Sequence, residues 1–241
     1  MKRFAISDIH GAYDALMQVL GRCGFDMLED ELIFVGDIVD GFESGIVDTI
    51  KFMTQLEHHI WIKGNHDKWA LDWLGFKLGH TQWGLDNGTY RLWTEQGGQA
   101  TLNAMKTHDA YELVYDYLSA ALDYYEDDHN LFVHGGIRPG TKAENNLPNN
   151  MIWDRRLIQE ARLRSIETDS ICPDYDTVFI GHSPVINYNR FEPTRWNNVM
   201  AIDCGASYPN YNGRLGIVNV DTLETWVSDP VKELYPNEVA R

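Results

Sequence analysis

The first half of the chain alternates short apolar runs with segments of helical periodicity. Residues 3–7, 32–35 and 59–63 are apolar runs of strand length. Between them, apolar side chains recur at helical spacing over 12–23 and again over 46–56. The connections are long enough for crossovers between parallel strands, so the pattern predicts a βαβαβ unit and an α/β fold.

The second half of the chain changes character. Residues 68–121 indicate a mainly helical segment, rich in Trp and Tyr and interrupted by glycines that include Gly97 and Gly98, and we expect it to form a cap-like insertion. We find no repeat or linker, and therefore expect a single domain over 1–230 and a fraying tail over 231–241. Short strands are predicted at 130–133, 178–180, 199–202, 215–220 and 224–227.

Composition narrows the classes of partner. The 241 residues carry 20 Lys and Arg against 36 Asp and Glu, a formal charge of −16 that repels nucleic-acid polymers and anionic membranes. Cys23, Cys172 and Cys204 are too widely separated to predict a disulfide framework or a thiolate zinc site. No apolar run has membrane-spanning length. We expect a cytoplasmic protein, and the sequence predicts no oligomeric state.

Five apolar runs end directly in polar residues of the metal-ligand type. Each such cluster alone is as readily an ordinary turn, but the carboxyl ends of neighbouring strands converge on one crevice in α/β sheets. Asp, His and Asn without Cys favour manganese, iron or zinc over calcium. Two ions about 3.5–4 Å apart need a bridging carboxylate, for which Asp37 is the natural choice. The clusters are Asp8-Ile9-His10, Asp37, Asn65-His66-Asp67, His134 and His182.

These clusters carry a resemblance to a known family. The segments DIHG (8–11), GDIVDG (36–41), KGNHD (63–67), VHGG (133–136), GHSP (181–184) and IDCGA (202–206) resemble the blocks of calcineurin-like metallophosphoesterases of the phosphoprotein phosphatase type. The resemblance is nearest to the bacterial and phage branch with lambda-type protein phosphatases and symmetrical dinucleoside tetraphosphatases. It implies a two-sheet β-sandwich flanked by helices, in α/β/β/α layers, with a dinuclear site at the sandwich edge.

The resemblance also implies a role for each site residue. His66 would be the general acid that protonates the leaving oxygen, and Asp40 would orient it. The cofactor would be two divalent ions, with manganese favoured and iron, zinc or nickel as alternatives. Asp8 and His10 would hold the first ion, Asp37 would bridge, and the second ion would be completed by Asn65, His134 and His182.

One departure from the family pattern affects the substrate phosphate. Gly41 and Phe42 stand where the family has an arginine followed by glycine. Loss of a bidentate phosphate donor weakens phosphate binding and transition-state stabilisation by about 2–4 kcal/mol unless another cation substitutes. Arg155 resembles a second phosphate-binding arginine of the lambda-type enzymes. Three other cations are candidates to replace the missing arginine, although such side chains are more often solvated surface groups. They are Arg156, Arg138 and Lys68.

The leading hypothesis is a dinuclear-metal phosphatase that acts on phosphomonoesters, with phosphoserine or phosphothreonine in protein as the favoured substrate. A metal-bridging hydroxide would attack phosphorus directly while His66 acts as the acid. Symmetrical hydrolysis of dinucleoside tetraphosphates is an alternative. A third reading is a catalytically idle, metal-binding interaction scaffold, which is disfavoured because His66, Asp40 and every expected ligand are present.

Overall fold

The structure, a computed structural model, describes residues 1–166, 170–238 and 240. The strands of this part of the chain form two five-stranded sheets. In chain order they are β1 (Arg3–Ile6), β2 (Glu31–Val35), β3 (His59–Ile62), β4 (Tyr125–Glu126), β5 (Asn130–Val133), β6 (Thr177–Ile180), β7 (Thr194–Trp196), β8 (Val199–Ala201), β9 (Gly216–Asn219) and β10 (Thr225–Val227).

The helices of the described residues are short to medium in length. None of them is long and apolar enough to cross a membrane. They are α1 (Tyr13–Cys23), α2 (Ile46–Met53), α3 (Asn65–Lys77), α4 (Asn87–Trp93), α5 (Gln99–His108), α6 (Tyr111–Ser119), α7 (Pro148–Met151), α8 (Arg156–Leu163) and α9 (Val231–Leu234).

Parallel strands form the centre of both sheets. The first sheet has the order β10-β9-β1-β2-β3, in which β1, β2 and β3 are parallel and β9 and β10 add antiparallel strands. The second has the order β4-β5-β6-β8-β7, in which β5, β6 and β8 are parallel. The βαβαβ unit predicted from the apolar periodicity is therefore confirmed.

Alternate side chains along the strands fill different layers. Ala5 and Ile33 of the first sheet pack against Phe132 and Phe179 of the second. Their neighbour Phe4 points the other way, into a cluster shared with α1 and α2. Helix α8 covers the outer face of the second sheet. Both faces of the central strands are thus buried, which explains their continuously apolar sequences, and the α/β/β/α layering is confirmed.

The helical segment over 68–121 packs onto the outer face of the first sheet. Trp93 is completely buried in the same cluster as α1 and α2. Trp61 of β3 stacks on Tyr117 of α6 with ring centroids 4.2 Å apart. The expected helical content of this segment is observed, and its buried aromatic side chains join it to the main core.

The expectation that the chain frays after residue 230 is wrong for the residues described there. Val231 is completely buried at the start of α9, and Tyr235 stacks on Phe42 with ring centroids 4.2 Å apart. The Tyr235 hydroxyl also accepts a hydrogen bond of 2.7 Å from the backbone N–H of Asp14. The buried ring of Tyr235 thus packs this segment against the domain.

Candidate metal centre

The loops after the strands hold several non-glycine residues in the left-handed region of backbone space. Each such residue costs about 1–2 kcal/mol, and strain of this kind clusters at functional sites. Backbone hydrogen bonds between the loops sustain it: Asp8 N–H donates to Gly36 O at 2.9 Å and His10 N–H to Asp37 O at 3.0 Å. The residues concerned are Asp8 (φ 53°), His10 (φ 49°), Asp37 (φ 55°), Asp40 (φ 66°) and His182 (φ 64°).

Asp8, His10 and Asp37 form the first buried ligand cluster. Their ligand atoms lie within 4.8 Å of one another. His10 Nε2 is 3.9 Å from Asp8 Oδ1 and 3.7 Å from Asp37 Oδ2. The other ring nitrogen, Nδ1, lies 3.0 Å from the carbonyl oxygens of Val39 and Asp40, so it carries the proton. The Nε2 lone pair therefore faces the carboxylates, as a metal ligand requires.

Asp37 also belongs to a second buried cluster, with His134 and His182. His134 Nδ1 donates to Val35 O at 2.8 Å, while its Nε2 lies 3.3 Å from Asp37 Oδ2 and 3.2 Å from Asn65 Oδ1. Asp37 is thus shared between the two clusters. The structure brings together all six predicted ligands, five on loops that follow strands of both sheets and Asn65 at the first residue of α3.

The electrostatic environment of the two clusters favours the binding of cations. Burial opposes a charge on His134, but the charge of Asp37 outweighs it and raises the pKa of His134 to about 10. Burial, together with the charge of His134, lowers the pKa of His182. His182 is therefore a neutral imidazole near pH 7, and its buried Nε2 has no hydrogen-bond partner among the described residues. Buried carboxylates and an unpaired imidazole nitrogen form a suitable donor set for divalent ions.

His66 lies beside the clusters and is held by Asp40. His66 Nδ1 is 2.6 Å from Asp40 Oδ2, and both side chains are buried. Trp93 Nε1 donates to the same Asp40 oxygen at 2.8 Å, and the Thr101 hydroxyl donates to the other oxygen at 2.6 Å. No sequence motif marks Trp93 or Thr101, because both reach Asp40 from the helical insertion.

Asp67 fixes the loop that carries the shared carboxylate. Its side chain is completely buried and accepts hydrogen bonds from the backbone N–H groups of Asp37 (2.8 Å), Ile38 (2.9 Å) and Gly64 (2.9 Å). Burial and the nearby charge of Asp37 raise the pKa of Asp67 to about 6. Asp67 thus positions the backbone that presents Asp37, a role that its place in the Asn65-His66-Asp67 cluster did not specify.

A cavity of about 80 Å³ opens onto both clusters and contains one of the predicted phosphate-binding arginines. Arg155 lines it and donates to His182 O at 3.0 Å. The lining also includes residues that were not predicted as site residues from the sequence: Gln96, Trp153, Pro184, Asp203, Ser207 and Tyr208.

The other candidate cations lie outside this cavity. Arg138 and Arg156 line a separate cleft, and Arg156 Nε is paired with Asp154 at 3.1 Å. Lys68 lines a third cleft and is paired with Asp72 at 2.6 Å. Their assignment as substitutes for an arginine at position 41 stays a prediction, and their position in other clefts does not favour it.

A comparison with protein families agrees with the geometry. The family model described as calcineurin-like phosphoesterase matches residues 1–208. The chain belongs to the calcineurin-like phosphoesterase family. Members of this family use a dinuclear metal centre, and the two clusters that share Asp37 are the candidate residues for it here.

Relatives of this phosphoesterase include two classes of enzyme. A symmetrical bis(5'-nucleosyl)-tetraphosphatase of Aromatoleum aromaticum is 28% identical over 60% of the chain and 47% of its own length. Serine/threonine-protein phosphatase 1 of Salmonella typhimurium is 34% identical over 40% of the chain and 44% of its own length. The chain thus spans less than half the length of these two relatives.

Solved structures show the same fold at low sequence identity. A structure described as a candidate diadenosine tetraphosphatase superimposes with a TM-score of 0.63 at 15% identity, covering 95% of this chain and 93% of the other. A cold-active protein tyrosine phosphatase gives a TM-score of 0.60 at 15% identity, covering 94% and 76%. These similarities concern the fold alone.

Proposed function

We propose that this phosphoesterase is a metal-dependent phosphatase that hydrolyses phosphomonoesters. The observation that carries the proposal is Asp37, shared between two buried ligand clusters at one cavity that His66 also lines. Six ligands would hold the ions: Asp8, His10, Asp37, Asn65, His134 and His182. When bound, two divalent ions supply an activated water near neutral pH and neutralise the charge on the phosphoryl oxygens.

His66 is the proposed general acid. Its Nδ1 is engaged by Asp40, which fixes the orientation of the ring and leaves Nε2 as the nitrogen that gives its proton to the leaving oxygen. Trp93 and Thr101 keep the Asp40 carboxylate in place behind it. Arg155 lies in the same cavity, where its guanidinium is suited to bind the substrate phosphate.

Two substrate classes follow from different observations. Among the described residues, Arg155 is the only arginine or lysine that lines the cavity. One cationic side chain suits a single phosphoryl group, as in phosphoserine or phosphothreonine. The similarity to tetraphosphatases favours a dinucleoside tetraphosphate. Trp153, which borders the cavity and is 43% exposed, offers a surface on which a nucleobase can stack. We place the phosphomonoester first because a tetraphosphate chain carries more negative charge into this acidic protein.

The proposal is tested by assaying the apo protein with added manganese, iron, zinc or nickel. The substrates are p-nitrophenyl phosphate, a phosphoserine peptide and a dinucleoside tetraphosphate. We expect metal-dependent turnover of the peptide, and a fall in kcat of about 10²–10⁴-fold in His66→Asn. The exposed His108 provides the matched control, His108→Asn, which should behave as wild type. A tenfold preference for the nucleotide would reverse the order of substrates, and no turnover with any ion would favour the scaffold.

A further inference from the structure

The helical insertion contains a kink next to the cavity that opens onto the two ligand clusters. Between α4 and α5 the helical backbone breaks at Gln96 (φ −98°, ψ 29°) and Gly97 (φ 103°, ψ −11°). Gly97 O accepts a hydrogen bond of 3.4 Å from Gly41 N–H. A Cβ placed on Gly97 would lie only 2.9 Å from Gly41 N, so the kink is seated directly on the backbone of the Asp40–Gly41 loop.

Gly41 itself supplies no side chain to the cavity and has no room for one. Its φ is 114°, and a Cβ there would lie 2.7 Å from His10 O. The kink instead delivers the side chain of Gln96, which lines the same cavity as His66 and Arg155. Gln96 therefore enters the site from a segment in contact with Gly41.

A phosphate in this cavity needs hydrogen-bond donors, which the acidic part of the lining cannot supply. Asp8, Asp37 and Asp203 are acceptors when ionised, and His10 Nδ1 already donates to backbone carbonyls. Arg155 directs part of its guanidinium to His182 O. The Gln96 amide adds two N–H donors at a point where the broken helix frees the side chain from regular helical packing.

We propose that the Gln96 side-chain amide donates a hydrogen bond to a phosphoryl oxygen of the substrate, next to the Asp40–Gly41 loop. This role rests on the proposed phosphatase function. Gln96 binds phosphate as a neutral donor and complements the charged Arg155. With Gln96 as a neutral donor, phosphate binding at this site depends less on positive charge than at a site with two arginines. Gln96 thereby contributes to the affinity of the site for the phosphoryl group.

The experiment compares Gln96→Ala and Gln96→Glu with Gln99→Ala. Gln99 is a matched control because it is exposed three residues further on and its amide donates to Asn103. For the manganese-loaded proteins, KM is measured with p-nitrophenyl phosphate and the Kd of inorganic phosphate by calorimetry. We expect Gln96→Ala to raise both about tenfold, Gln96→Glu to raise them further, and Gln99→Ala to stay within twofold of wild type.

The glutamate variant separates a phosphate contact from a purely structural role. Glutamate has nearly the same shape as glutamine but presents an anionic acceptor, so it repels phosphate if Gln96 is a donor. Phosphate binding that is within twofold of wild type in both variants, or tighter in Gln96→Glu than in Gln96→Ala, would overturn the proposal. Gln96→Asn, which withdraws the amide by one methylene, replaces any variant that does not fold. Calorimetry needs no turnover, so it decides the role of Gln96 even if the hydrolase proposal fails. Absence of phosphate binding by the wild-type protein would count against the proposed role of Gln96.

Discussion

The Asp40 carboxylate accepts hydrogen bonds from side chains of three different helices. His66 comes from α3, Trp93 from the end of α4 and Thr101 from α5. The proposed ligands and His66 could be selected from the sequence because they follow the ends of apolar strands. Trp93 and Thr101 could not, since they lie 53 and 61 residues from Asp40 and have no spacing that marks them.

Thr101→Val tests this support at the level of one residue. The Thr101 hydroxyl donates to Asp40 Oδ1 and accepts from Asp40 N–H, so the change leaves two buried polar groups without a partner. We expect the free energy of unfolding to fall by about 1–3 kcal/mol, measured by urea denaturation. Thr94→Val, whose hydroxyl bonds only to helix carbonyls, should change it by less than about 0.5 kcal/mol. Equal stability of Thr101→Val and wild type would contradict the assigned role.

The break between α4 and α5 is the element that connects the insertion to the site. The Gly97-Gly98 pair indicated an interruption, but the sequence carried no information on which loop the interruption would face. The contact with Gly41 depends on how α4 and α5 pack over the first sheet. Strands and helices follow from local periodicity, whereas this contact follows from tertiary packing.

Gly97→Ala measures the importance of that contact. Gly79 also has a positive φ, of 80°, but a Cβ there would meet nothing within 4 Å, so Gly79→Ala is the control for backbone strain alone. Both variants should lose about 1 kcal/mol from the left-handed conformation. Gly97→Ala should lose at least about 1 kcal/mol more in thermal unfolding, because its Cβ would press on Gly41 N. Equal losses would show that the contact is loose.

At the scale of the whole molecule, long-range contacts tie the ends of the chain to the two sheets. Arg3 of β1 pairs with Asp127, which follows β4, at 2.7 Å, and with Asp221 of the β9–β10 turn at 2.5 Å. Tyr235 packs on Phe42 far from it in sequence. The mistaken expectation for the tail arose because a short polar segment shows no periodicity from which its distant partner could be inferred.

Tyr235→Ala tests whether this C-terminal segment stabilises the domain. Removing the ring eliminates the stacking on Phe42 and the hydrogen bond from Asp14 N–H. We expect a loss of about 3 kcal/mol in the free energy of unfolding. Tyr211 is 71% exposed, and Tyr211→Ala should lose less than about 0.5 kcal/mol. A similar small loss for Tyr235→Ala would mean that the segment contributes little.

Asp127 gives a prediction for the pH dependence of stability. Burial opposes its ionisation, but hydrogen bonds from the backbone of His129, from Asn130 and from Arg3 outweigh it and lower its pKa in the folded protein. Its contribution is therefore present above the unfolded pKa of about 3.9 and is lost as the pH falls through the lower folded value. Asp127→Asn should cost about 0.5–1 kcal/mol at pH 7, and this difference from wild type should shrink below pH 4. A difference that is constant from pH 7 to pH 3 would rule out the charge as its cause.

The proposed dinuclear centre requires Asp37 to join two metal sites. Titration of the apo protein with Mn²⁺, followed by calorimetry and electron paramagnetic resonance, tests it without any substrate. We predict two ions per chain with an exchange-coupled spectrum, and loss of the coupling in Asp37→Asn but not in Asp72→Asn, whose side chain pairs with Lys68 outside the cavity. A single ion per chain, or two ions with independent spectra in wild type, would contradict a bridging role for Asp37.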